Sequence, residues 1–93
     1  MTPEELAALR DPDGLTPELH ALWLVRNGTW QQAHNVAQDI HTAGGSWIHA
    51  LLHVIEGDQW NADYWFSKAG KPSRGPGETD ALWTEIAGDL LKR

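Results

Sequence analysis

The chain has no cysteine. That excludes disulfides, thiol nucleophiles and Cys-type zinc sites, and it suits a reducing compartment. Cations are also scarce: seven Lys plus Arg against thirteen Asp plus Glu leave a formal net charge of −6. An acidic chain is a poor match for phosphate backbones, so nucleic acid is not an expected partner. Long hydrophobic runs are missing as well. The longest, Ala21 to Val25 and Trp47 to Ile55, fall far short of a membrane span, and His49 and His53 interrupt the second. Thr2-Pro3-Glu4-Glu5-Leu6 opens on acids and lacks the apolar core of a signal peptide, so a cytoplasmic location without membrane contact is expected. Val, Ile and Thr are few and no useful stretch alternates, which argues against strands.

What is present suits one small helical domain covering residues 1–93. Its mass is 10.4 kDa, for which area scaling gives a folded surface of roughly 5,400 Å² against about 15,000 Å² unfolded. At 41% hydrophobic and 22% charged, the composition is that of an ordinary globular protein. Six Trp and five His are the unusual features.

Helix punctuation is clear. Thr2-Pro3-Glu4-Glu5 combines a cap, a first-turn proline and a Glu able to close a capping box, so a helix is expected over 3–10. Thr16-Pro17-Glu18 repeats the signal for a helix over 17–27, ended by Gly28 in a left-handed conformation. Thr29 and Gln32 have capping-box spacing for a third helix reaching about His41, stopped by Gly44-Gly45. Ser46 is the expected cap of a fourth, running to Glu56-Gly57. Asp58 caps a fifth, fading at Ala69-Gly70-Lys71-Pro72. After a loop over 73–77, Leu82, Trp83, Ile86 and Leu90 share a helical face in a sixth helix over 80–92. The expectation is all-α, with six helices.

The chain also repeats itself. His20-Ala21-Leu22-Trp23-Leu24-Val25-Arg26-Asn27-Gly28 aligns with His49-Ala50-Leu51-Leu52-His53-Val54-Ile55-Glu56-Gly57, 29 residues later, and five residues past each Gly stands Ala33 or Ala62. Each unit reads as helix, Gly turn, helix. Ala21 with Ala33, and Ala50 with Ala62, would let the paired helices approach closely.

These units resemble the tetratricopeptide repeat over about 17–72. The second carries Ala50, Gly57, Asp58, Ala62, the aromatics Tyr64, Trp65 and Phe66, then Lys68, Ala69 and Pro72; the first carries Ala21, Gly28, Trp30 and Ala33, with Ile40 where the repeat has a small residue. The offset of 29 is shorter than that family's usual 34 or so. The resemblance implies two helical hairpins flanked by terminal capping helices, and a protein- or peptide-binding module. It also implies that His20, His49, Leu24 and His53 face a paired helix. The stretch from Trp47-Ile48-His49-Ala50 through Tyr64-Trp65 and Ala69-Gly70 is similar, in addition, to a group of short bacterial proteins, a likeness without functional content.

Two residue groups are candidates for function. On the fourth helix, His49 and His53 lie one turn apart with Glu56 three residues on, opposite the face of Trp47, Ala50, Leu51 and Val54. Paired imidazoles at this spacing are how one helix presents two ligands to a metal. Residue 50 is Ala, so this is not the zinc-protease motif. His34 and His41, seven apart on the third helix, extend the set to His34, His41, His49, His53 and Glu56. On the structural reading these histidines bind no cofactor and are hydrogen-bonded to Gln38, Asp39 or backbone. On the alternative reading they hold zinc or another transition metal, in a small-ligand or metal-binding protein with hydrolytic capacity.

The other group is aromatic. Trp23, Trp30, Trp47, Trp65 and Trp83 fit apolar stripes and belong to the core. Trp60 and Tyr64 sit one turn apart on the other side of the fifth helix, as a contact surface or as packing against the sixth. They are the expected binding residues, toward a protein, a peptide or a second copy of the chain in a homodimer. Nucleophile-elbow, phosphate-loop and dinucleotide patterns are absent. An enzyme would have to rest on His with Asp or Glu alone, and no catalytic residue is assigned.

Overall fold

The computed structural model describes residues 1–93 and is all-helical: α1 (Pro3–Ala8), α2 (Pro17–Asn27), α3 (Trp30–Ala37), α4 (Ala43–Glu56), α5 (Gln59–Ala69) and α6 (Thr79–Leu91), with a single 3-10 turn at Pro76–Glu78 before the last. The expected caps explain most of these boundaries. Thr2 and Glu5 exchange hydrogen bonds at 2.9 and 3.2 Å, and Thr29 and Gln32 do so at 2.9 and 3.1 Å. Thr16 accepts from the Leu19 N–H and Asp58 from that of Asn61. Each satisfies an amide that a helix start leaves without an internal partner.

Three local expectations are corrected. α3 stops at Ala37 instead of running to His41, and Asp39 and Ile40 turn back on the Val36 and Ala37 carbonyls. α4 accordingly starts earlier, capped by Thr42 and not by Ser46: the Gly45 N–H donates to Thr42 Oγ1 at 3.0 Å, and Ser46 lies buried inside the helix. The glycine pair is part of the new helix because Ile40 crosses its first turn. A Cβ on Gly45 would stand 2.6 Å from Ile40 Cγ2, a distance that real side chains do not tolerate. Gly28, lastly, is extended (φ −120°) and not left-handed. Glycine is needed there for space, since a Cβ would meet Leu24 Cδ2 at 2.8 Å and the capping Gln32 side chain at 2.7 Å.

Packing follows chain order. The turns at Gly28-Thr29 and Gly57-Asp58 are two residues long, so α2 folds back on α3 and α4 on α5 as two hairpins, the two most extensive helix pairings. α4 is the central element, packed on α2, α3, α5 and α6, and every residue from Gly44 to Val54 is buried. α6 lies over α4 and α2 and meets α1, so both terminal helices cover the side where the first helices of the hairpins adjoin. One core of twenty buried apolar residues runs from Leu6 to Leu90. The solvent-accessible surface is 5155 Å², close to the value of roughly 5,400 Å² that size alone predicts.

Tryptophans fasten these layers by their N–H groups. Trp83 donates to Leu22 O at 2.9 Å and carries the Arg26 guanidinium 4.6 Å from its ring centre, while Arg26 also pairs with Asp80. Trp23 donates to Leu9 O at 2.9 Å, tying α1 to α2. Trp30 donates to Leu52 O at 2.8 Å, tying α3 to α4. Trp47 and Trp83 are buried, and Trp23, Trp30 and Trp65 are half-buried against the core. No helix is long and apolar enough to cross a membrane.

Candidate functional site

The packing of α3 on the buried α4 brings three histidines together. His49 and His53 stand one turn apart on α4 with their rings stacked, 4.8 Å between centres and 21° between planes. His34 reaches them from α3, edge-on to His49 at 89° with 4.7 Å between ring centres. Its Nε2 lies 3.1 Å from His49 Nε2. One ring nitrogen from each of His34, His49 and His53 falls within a span of 4.8 Å.

Aromatic walls hold the rings in place. Trp30, one turn before His34 on α3, stacks on it at 4.8 Å and 13°. Trp65 of α5 stacks on His49 at 3.9 Å and 14°. The order Trp30, His34, His49, Trp65 therefore crosses three helices. Glu56 closes the far side, its Oε1 2.7 Å from His53 Nδ1. That contact assigns the His53 proton to Nδ1, because a carboxylate only accepts. Asp58 lies beside His53 and Glu56, but its oxygens are engaged with Asn61 at the start of α5.

Burial decides the charge state. His49 and His53 are 6% and 9% exposed. Burial pushes the His49 imidazole down to about 4, and the neighbouring His34, His53 and Lys68 add to the effect. His34 is lowered too, mainly by burial and then by His53, against a smaller opposite pull from Glu56. Both rings are neutral at neutral pH, and in the nitrogen-to-nitrogen contact one donates and the other accepts. His34 Nδ1 is sealed from solvent and has no hydrogen-bond partner.

The sequence-level candidates divide accordingly. His34, His49, His53 and Glu56 are assembled. His41 is not among them, because it sits exposed in the turn between α3 and α4. It instead lines a groove of about 330 Å³ with Ser46, His49, Trp65 and Lys68. Gln38 and Asp39 are exposed and partner none of the three rings, so the cluster is bonded within itself and to Glu56. Trp30 and Trp65, read as core from their apolar stripes, are the stacking walls. The four-residue step from Trp30 to His34 puts these two rings on one helical face and is a signal by which the first wall can be found, whereas nothing local points to Trp65.

Trp60 and Tyr64 occupy the outer face of α5, 83% and 55% exposed, and neither packs under α6. Lys68 follows one turn later, its ammonium 5.9 Å from the Tyr64 ring centre and 4.9 Å from that of Trp65. No family model, curated protein or solved structure matches the chain.

Proposed function

We propose that this chain is a cytoplasmic protein- or peptide-binding module built from two tetratricopeptide-like hairpins, with Trp60 and Tyr64 at the centre of its contact surface. The observation that carries this reading is where the exposed apolar side chains lie. Of four large ones, Ile55, Trp60 and Tyr64 all belong to the α4–α5 hairpin, and the fourth is Met1 at the terminus. Single exposed hydrophobics are ordinary, but Trp60 and Tyr64 one turn apart on α5, beside a polar border, suit a contact site. Gln59, Asp63, Ser67 and Lys68 supply that border along α5. Large rigid rings suit the centre of such a surface, since they bury area while losing few rotamers. The partner is another protein, an extended peptide or a second copy of the chain.

Affinity capture from cell extract, run in parallel with wild-type protein and the Trp60→Ala/Tyr64→Ala double variant, tests the reading. The expected result is a defined associate, or a self-associated species by sedimentation, that the double variant no longer retains. The same set of associates and the same sedimentation behaviour in both proteins would contradict it.

A further inference from the structure

We infer that His34, His49 and His53 form a binding site for one divalent transition-metal ion of the zinc class, with Glu56 orienting His53 from outside the ligand set. The spacing is that of ligands around an ion. Two nitrogens each about 2.0–2.1 Å from a tetrahedral zinc are separated by about 3.3 Å, and His34 Nε2 and His49 Nε2 are 3.1 Å apart. The third ring brings a nitrogen within the same 4.8 Å span.

Glu56 supplies what a ligand histidine needs on its other nitrogen. By taking the His53 Nδ1 proton at 2.7 Å, it fixes the ring's tautomer and leaves the Nε2 lone pair as donor. A carboxylate behind a metal-bound imidazole is the common arrangement, fixing ring orientation and raising ligand basicity.

A purely structural cluster explains less. Hydrogen bonding within the trio is limited to the single His34–His49 contact. His49 and His53 are more than nine-tenths buried at apolar helix positions, where a polar ring needs partners. The donor set also selects the ion. Three imidazoles with no thiolate suit zinc, copper or nickel and not magnesium or calcium, and three protein ligands match zinc sites whose fourth position is held by water. The groove of about 330 Å³ gives a path from solvent to His49.

The test uses full-length protein without a His tag, stripped with chelator and titrated with Zn²⁺ or Co²⁺. Saturable uptake of one ion per chain is expected, with the visible absorption of nitrogen-coordinated cobalt and quenching of tryptophan fluorescence, because Trp30 and Trp65 stack on two of the ligands. Glu56→Gln should weaken uptake about 10–100-fold, and loss of a ligand in His34→Gln at least as much. His20→Ala, His41→Ala and the Trp60→Ala/Tyr64→Ala variant should bind as wild type, which keeps this test separate from that of the contact surface. Circular dichroism reports whether each variant folds; His34 is half-buried and Glu56 exposed, so neither depends on filling the core. Absence of one-to-one uptake by the wild type, uptake that His34→Gln retains in full, or uptake lost in His41→Ala would overturn the assignment.

Discussion

His34 and His49 face each other nitrogen to nitrogen at 3.1 Å across the α3–α4 junction. Such a contact holds one proton between two rings, so the pair exists only while both imidazoles are neutral or share a single charge. Burial, and then the charge of neighbouring histidines, press both rings toward neutrality.

A pH dependence of stability follows for the metal-free protein. His49 titrates near 6.5 when unfolded and at about 4 when folded, so between those values the unfolded chain binds the extra proton. Stability contributed by its neutrality is complete above about pH 6.5 and is lost as pH falls toward 4, by about 3 kcal/mol for this ring alone. His34 shifts in the same direction and adds to the slope. Asp58, Asp63 and Glu78 are held below their ordinary carboxylate values by their hydrogen bonds, so their contribution is lost at lower pH. Urea midpoints measured from pH 7 to 4 should fall steadily, and less steeply in His49→Gln. A flat profile over that window would contradict the burial of neutral rings.

Two glycine substitutions should have opposite signs. Gly88 lies inside α6 with nothing near its absent Cβ, so Gly88→Ala should stabilise by up to about 1 kcal/mol through helix propensity. Gly45→Ala gains the same propensity but drives its Cβ into Ile40, and a net loss of about 1–3 kcal/mol is expected from overpacking. Thermal or urea unfolding of the two variants checks both.

The start of α4 can be located by mutation. Thr42→Ala should cost about 1 kcal/mol as the loss of a cap, and Ser46→Ala less than about 0.5 kcal/mol, its hydroxyl capping nothing. Equal losses at the two positions would return the helix start to Ser46.

Removing the exposed aromatics should leave the fold intact. Trp60→Ala with Tyr64→Ala is expected to change unfolding free energy by less than about 1 kcal/mol, as surface substitutions do. A loss above about 2 kcal/mol, typical of emptied core positions, would place the two rings in the interior.

The helices were legible because their ends carry strong local chemistry. Thr2, Thr16, Thr29 and Asp58 each bond a first-turn amide in the structure, and the four-residue step from His49 to His53 put both imidazoles on one face. The stretch over 38–46 is not legible locally because its determinant is tertiary. Gly44-Gly45 looks like a stop in sequence, yet Ile40 folding over the helix start needs a bare backbone there. His41 went wrong with it, since its seven-residue step from His34 means a shared face only if the helix continues. The stripe of Trp65 places it against the core, and its stacking on His49 depends on how α5 lies against α4, which no local pattern encodes. The pairing of His34 with His49 likewise depends on how α3 packs against α4.

Imidazole nitrogen chemical shifts of uniformly labelled protein, recorded before and after one equivalent of zinc, test the cluster most directly. At neutral pH without metal, His34 and His49 should be neutral and His53 protonated on Nδ1; with zinc, one nitrogen in each of these three rings should move to the metal-bound range while His20 and His41 stay put. A charged His49 at neutral pH, or zinc shifts confined to His20 and His41, would contradict the assembled site.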